Sequence, residues 1–189
     1  MNKKKIVLII IVTLLLILIP WSDLNNPEEL PLIAEVPAFT LYDQWGNEFN
    51  REMLNGKISI IDFIFTNCPG PCPVMSGNMK ILYSTFSKSQ DVQFISISVD
   101  PDRDTFEILQ EYAQLHGVTD DRWIFLRGDI NKVVDLSENG FLLAAENLPM
   151  GHSVKFALVD ETASIRGYYS GTDEQEMNKL KIAIKRIIN

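Results

Sequence analysis

Two cysteines, Cys68 and Cys72, are the side chains of this sequence with the greatest capacity for chemistry. They are the only cysteines of the chain, and three residues separate them in the segment Cys68-Pro69-Gly70-Pro71-Cys72-Pro73. Two thiols at this spacing can close a disulfide, exchange disulfides with another protein or chelate a soft metal ion. A purely structural disulfide is the alternative. The single pair on one turn, with three prolines around it, favours a functional site.

His152 is the second candidate, in a loop that carries Pro149 and Gly151 and leads into a predicted strand. A loop that enters a central strand can lie beside the loop that leaves its neighbour, which would bring His152 to the two sulfurs. From spacing alone, a ligand role and a bland role are equally supported. His116 precedes Gly117 at a predicted helix end, and we expect an ordinary surface role for it.

Two thiolates and one imidazole form a soft ligand set that suits copper(I) or zinc. Zinc prefers a fourth ligand, and the sequence offers no third cysteine, so three-coordinate copper fits better. Met75 and Met150 are soft side chains that could assist. We predict that both pack instead, Met75 in the apolar stripe of a helix.

Two aspartates are candidates for tuning the site. Asp62 interrupts a nearly continuous apolar run. It lies either at a solvated rim of the sheet or buried near the cysteines, where it would tune or relay their protons. Asp100 ends the next predicted strand and is a candidate partner of His152 or of the metal. Asp104, with Glu107 three residues later, has a capping-box pattern that predicts a helix start.

The predicted elements place these residues at one edge of an α/β sheet. Residues 58–65 are typical of a strand buried on both faces, and helical spacing of apolar residues follows the cysteines. The sulfurs therefore lie on a strand-to-helix turn, where the helix N-terminus should lower their pKa. Strands over 92–99 and 123–126, flanking helices, a hairpin over 154–169 and a final helix complete a sheet that carries its site at the carboxyl ends of strands.

The N-terminus predicts a membrane anchor over residues 1–21. Three lysines precede an apolar run, Ile6 to Ile19, which ends at Pro20-Trp21. A helix from residue 6 to residue 21 would be about 24 Å long. The positive flank should remain in the cytoplasm and place the rest of the chain outside. A cleaved signal peptide is the alternative, but no small-x-small cleavage site follows. Residues 22–37 predict an extended tether, and residues 38–189 a single domain.

The part after the anchor is acidic. All 25 acidic residues lie there against 14 basic ones (17 less the three leading lysines), a net charge of −11. This balance disfavours nucleic acid and anionic lipid as partners. An exported thiol pair needs a reductant or a metal to stay open. The N-terminal segment lacks the Arg- and Ser-rich character of an organelle transit peptide, so we expect a bacterial envelope.

The sequence carries three separated motifs: Cys68-x-x-x-Cys72-Pro73, Ser98-Val99-Asp100-Pro101-Asp102-Arg103-Asp104-Thr105, and a distal His152 before a strand. In this order they resemble the Sco/SenC family. The resemblance also includes residues 39–44 and the anchor. It implies a thioredoxin-like domain with copper ligands Cys68, Cys72 and His152. Asp62 and Asp100 remain candidates for the surroundings of these ligands from their strand positions alone. It also implies single-pass attachment to the cytoplasmic (inner) membrane, with the domain on the periplasmic or extracellular face.

The implied function is that of a copper metallochaperone, which delivers copper to, or matures, the dinuclear copper site of cytochrome c oxidase. Its cargo would be Cu(I), with Cu(II) as a second state. Its partner would be the copper-containing oxidase subunit, and another copper chaperone or a thiol reductase would be a further partner. The alternative is a thiol–disulfide oxidoreductase with a Cys68–Cys72 disulfide, because Asp62-Phe63 has the offset of the buried Asp-Phe pair in thioredoxin. A copper-responsive or redox-responsive signalling module is a third interpretation.

Overall fold

The structure is a computed structural model, and it describes residues 29–188. The predicted anchor and the beginning of the predicted tether lie outside these residues. Within residues 29–188, none of the helices has the length and apolar character needed to cross a bilayer.

A six-stranded mixed sheet forms the centre of the fold, in the order β1-β8-β7-β4-β5-β6. Strands β4, β5 and β6 are parallel, and β7, β8 and β1 continue the sheet in antiparallel fashion on the other side of β4. Strands β2 and β3 form a separate hairpin. The strand bounds are β1 Ala34–Glu35, β2 Thr40–Tyr42, β3 Glu48–Asn50, β4 Ile58–Ile64, β5 Val92–Ser98, β6 Trp123–Leu126, β7 Lys155–Val159 and β8 Ser164–Ser170.

Strand β4 occupies the middle of the sheet because its sequence suits burial on both faces. All seven of its residues are buried. Successive side chains of a strand point to opposite faces. Accordingly Ile60 and Ile64 join one apolar core, whereas Ile61 and Phe63 join the other. The polar Asp62 therefore lies inside the protein, on the same face of β4 as Ile60 and Ile64.

Four α-helices cover the sheet: α1 Cys72–Thr85, α2 Phe106–Leu115, α3 Ile130–Asp135 and α4 Glu174–Ile188. Apolar residues of α1, α2 and α4 pack in one core. The β2–β3 hairpin and α3, which continues as a π-helical turn over Leu136–Gly140, cover the other face. The predicted α/β sheet with flanking helices is confirmed.

Two local predictions differ from the structure. Residues 34 and 35, inside the predicted tether, pair with β8, and Val36 is buried, so the folded part begins before residue 38. Thr105, rather than Asp104, caps helix α2 by accepting a hydrogen bond from the Ile108 amide. A helix cap needs an extended backbone at the residue just before the helix, and Thr105 has that conformation. The sequence alone could not decide between the neighbouring residues Asp104 and Thr105.

Candidate metal centre

Both cysteines lie where the chain passes from β4 into α1, Cys68 in the connection and Cys72 at the first residue of the helix. The chain leaves the sheet after Ile64, turns through Cys68, and begins helix α1 at Cys72. Pro73 lies in the first helical turn, where its missing N–H breaks no helical hydrogen bond. Cys72 is buried, whereas Cys68 is partly exposed, and both are free thiols in this structure. Cys72 therefore lies deeper in the protein than Cys68.

A closed loop carries His152 to the same edge of the sheet. His152 forms an isolated bridge with Ala145, and the Ser153 amide donates to the Ala144 carbonyl oxygen at 3.1 Å. A β-carbon at Gly151 would collide with the carbonyl of Glu146, so only glycine fits there. Because β7 runs antiparallel to β4, the loop that enters β7 lies beside the turn that leaves β4.

The three candidate ligand atoms converge. Cys72 Sγ lies 3.4 Å from His152 Nε2, and the two sulfurs and the imidazole nitrogen all lie within 4.8 Å of one another. His152 Nδ1 lies 3.1 Å from the carbonyl oxygen of Ser153. A carbonyl can only accept, so we place the proton on Nδ1, which leaves the lone pair of Nε2 facing the sulfurs. The Phe65 ring packs edge-on against the imidazole, with centroids 5.7 Å apart.

Burial controls the protonation of this site. It raises the pKa of the Cys72 thiol to about 12, and the neighbouring Cys68 adds to the rise. The expectation that the helix N-terminus lowers this pKa is wrong for Cys72, because the cost of burying a thiolate outweighs the helix dipole. Burial also lowers the pKa of His152. Without a cation, Cys72 is therefore a thiol beside a neutral imidazole, and a bound cation must displace the thiol proton.

Asp62 is buried rather than rim-exposed. It is completely buried, and neither carboxylate oxygen has a hydrogen-bond partner of good geometry among residues 29–188. This burial raises its pKa to about 7, and the hydroxyl of Ser96, its register partner on β5, offsets part of the rise. A charge on Asp62 also raises the pKa of Cys72. The solvated-rim alternative is excluded.

Asp100 has no hydrogen bond to His152 in the described part of the chain, whereas Asp104 supports the cysteine turn. Asp100 is half-buried, with Arg103 at 3.8 Å, and within the described part of the chain no hydrogen bond joins it to His152. The side chain of Asp104 is buried and accepts 2.6 Å hydrogen bonds from the hydroxyls of Thr66 and Ser98. Asp104 thus connects the cysteine turn to the end of β5. Sequence reasoning missed this role because the same residue reads equally well as a helix cap.

The remaining candidates divide between packing and exposure. Met75 is fully buried in the core, as predicted, but Met150 is 62% exposed and does not pack. His116 is not a free surface residue. Its ring lies 4.5 Å from that of Tyr112 and 5.7 Å from that of Trp123. It is no member of the Cys68, Cys72 and His152 cluster.

Comparison with known proteins decides the family of this chain. The sequence model of the SCO1/SenC family matches residues 28–189. This chain belongs to the SCO1/SenC family. A SCO1 protein homolog of Bacillus subtilis is 32% identical over 149 residues, which cover 76% of this chain and 77% of the relative. A relative from Stutzerimonas stutzeri, provisionally named a copper-binding protein, is 31% identical over 154 residues, 77% of this chain and 74% of that protein.

Solved structures of the family share the fold. The crystal structure of a SCO1/SenC family lipoprotein from Bacillus anthracis has a TM-score of 0.77 and 30% identity, and the match covers 84% of this chain and 98% of that chain. BsSco is described as a Sco-family cytochrome c oxidase assembly protein with a disulfide switch. Its structure has a TM-score of 0.73 and 27% identity, and the match covers 84% of this chain and 96% of that chain. The mixed sheet with flanking helices is therefore thioredoxin-like.

Proposed function

We propose that this SCO1/SenC protein is a copper metallochaperone, which delivers copper to, or matures, the dinuclear copper site of cytochrome c oxidase. The observation that carries the proposal is the convergence of two sulfurs and one imidazole nitrogen within 4.8 Å. The names of two relatives give independent support. One is provisionally named for copper binding, and the other is described as an oxidase assembly protein.

The donor set fits copper(I) as the cargo. Two thiolates and a neutral imidazole are soft ligands, and with a monovalent cation they carry a net charge of about −1. A site that buries little charge avoids most of the desolvation cost. The Ser153 carbonyl oxygen accepts a hydrogen bond from Nδ1–H of His152, and this bond orients the imidazole so that Nε2 can bind the metal. Cys72 loses its proton when copper binds, so copper uptake should release a proton to the solvent.

Release requires the partner to replace these ligands. Cys68 is the only one of the three that is partly exposed, so exchange should begin at its sulfur. Thiolates on an oxidase subunit can then displace Cys72 and His152 in turn, without a change in the oxidation state of copper. The copper-containing oxidase subunit is the proposed recipient, and another copper chaperone is a proposed donor.

The second candidate function is a thiol–disulfide oxidoreductase. The specific observation that favours it is the pair of free thiols beside a buried aspartate. In this reaction one sulfur attacks a disulfide of an oxidase subunit or another exported protein, and the second sulfur resolves the mixed disulfide. The partner gains two electrons and two protons and leaves as a dithiol, while Cys68 and Cys72 become a disulfide. A thiol reductase would then be needed to restore the pair.

A cellular experiment separates the two functions. His152→Ala should impair oxidase assembly nearly as severely as Cys68→Ala or Cys72→Ala, and added copper should restore part of the activity. His116→Ala is the matched control, because His116 lies outside the cluster. Normal assembly with His152→Ala, together with a failure of the cysteine variants in copper-rich medium, would favour the oxidoreductase instead.

We further propose that residues 1–21 anchor the protein in the cytoplasmic (inner) membrane by a single pass, with the folded part outside. The apolar run after three lysines supports this proposal. The protein should then remain with membranes after a high-salt wash, because salt weakens only ionic attachment, and its domain should be open to external protease. A soluble product that begins near residue 22 would show cleavage.

A further inference from the structure

Two methionines of the described residues are exposed at the surface. Of the methionines between residues 29 and 188, Met75, Met79 and Met177 are buried in the core, whereas Met53 is 47% exposed and Met150 is 62% exposed. Met53 lies in the 3-10 turn Arg51–Leu54 that leads into β4, at the edge of the sheet opposite the cysteines. Of these two exposed methionines, Met150 is the one in the loop that carries His152.

Met150 is an exposed residue in the loop that carries His152. Met150 precedes His152 by two residues, so their Cα atoms are at most about 7 Å apart. The loop is closed by the His152–Ala145 bridge and by a hydrogen bond from the Gly151 amide to the Asn147 carbonyl oxygen at 3.3 Å. The closed loop therefore fixes the backbone of Met150 close to that of His152.

Two of the three inner ligands, Cys72 and His152, are buried, so an incoming copper ion cannot bind all three at once. Cys72 is buried and His152 is 8% exposed, so an arriving ion first meets the partly exposed Cys68. One sulfur alone holds copper(I) weakly. A thioether is a soft, neutral ligand that prefers copper(I) to zinc and needs no loss of a proton before it binds.

We propose that Met150 is an outer copper(I) ligand, which holds the ion together with Cys68 while it passes between a partner and the buried site. The proposal rests on the copper-chaperone function. On uptake, the donor's ligand leaves as Cys68 and Met150 bind, and Cys72 and His152 then replace Met150. The reverse order applies on delivery. Copper remains monovalent throughout, and the thioether leaves unchanged.

Transfer kinetics test this role. The reduced full chain in detergent receives copper(I) from its complex with bicinchoninate, and stopped-flow absorbance follows the loss of that complex. Met150→Leu should slow uptake by about fivefold, the effect of losing about 1 kcal/mol of binding in the transfer intermediate. Met53→Leu, an exposed methionine at the opposite edge, should match the wild type. Both variants should still bind one copper ion at equilibrium, because the inner ligands are intact.

Zinc(II) provides a control for a merely structural effect. Thioethers are poor zinc ligands, so Met150→Leu should leave the rate of zinc uptake unchanged. Equal copper rates for wild type and Met150→Leu, or an equal slowing with both metals, would overturn the role of Met150. A wild-type protein that takes up no copper at all would instead overturn the copper-chaperone function itself.

Discussion

Replacing the buried Asp62 by asparagine should stabilise the metal-free protein at neutral and alkaline pH. The side chain is completely buried, and its oxygens have no hydrogen-bond partner of good geometry in the described part of the chain. Asparagine has nearly the same shape but cannot ionise. The substitution therefore removes the cost of a buried charge while it keeps the shape of the side chain in β4.

The size of the effect follows from the pKa of the carboxyl. Burial raises this pKa from 3.8 to about 7. Between these values the unfolded chain is ionised while the folded chain is still protonated, so stability falls as pH rises. Each pH unit costs about 1.4 kcal/mol, and the loss levels off at about 4 kcal/mol above the folded pKa. Below the unfolded pKa both states hold the proton, and the carboxyl has no effect.

Urea unfolding of the reduced, metal-free chain from pH 4 to pH 8 measures this loss. The free energies of unfolding of wild type and Asp62→Asn should agree to within about 1 kcal/mol at pH 4, by the usual scale of near-isosteric substitutions. They should diverge as pH rises, with the variant more stable. The histidines titrate equally in both proteins, so the difference isolates Asp62. A difference that stays constant with pH would refute the reasoning.

Two further predictions concern the cysteine turn and its protonation. Asp104→Ala leaves the hydroxyls of Thr66 and Ser98 without their buried acceptor, so urea unfolding should show a loss of about 2–3 kcal/mol, whereas Asp102→Ala at the exposed neighbour should be nearly neutral. Because the pKa of Cys72 is raised to about 12, copper(I) affinity should rise by about tenfold per pH unit between pH 6 and pH 8 from this thiol alone. Competition with a chelator at several pH values measures this slope. An affinity that does not change with pH would contradict a buried, protonated Cys72.

The sheet and the cysteine turn could be predicted from sequence because they depend on strong local patterns. The apolar run over residues 58–65 could only suit a central strand, and helical spacing after Cys72 placed the sulfurs at its carboxyl end. Local spacing left the role of His152 open. Its position beside the sulfurs depends on the antiparallel pairing of β7 with β4, which is a tertiary fact.

The errors share a physical cause, since each depended on contacts between distant segments. The sequence pattern around Asp104 predicts a helix cap. Its hydrogen bond from the Thr66 hydroxyl joins two distant segments, and the local pattern does not contain that information. The pKa of Cys72 depends on how deeply the fold buries the first turn of α1, which the helix-dipole rule does not include. Met150 resembles a packing residue in sequence, but the closed loop turns it outward. Residues 34–36 needed the edge of β8 as a partner.

Copper(I) titration of the reduced protein, with a competing chromophoric chelator, measures whether Cys68, Cys72 and His152 act together as one site. We expect one copper ion per chain. His152→Ala should lower the affinity by about 100-fold or more, because losing even an outer partner of a ligand costs about 10–100-fold. His116→Ala should leave the affinity unchanged. Equal effects of the two histidine substitutions, or undiminished copper(I) binding after Cys68 and Cys72 are oxidised to a disulfide, would show that copper binds elsewhere.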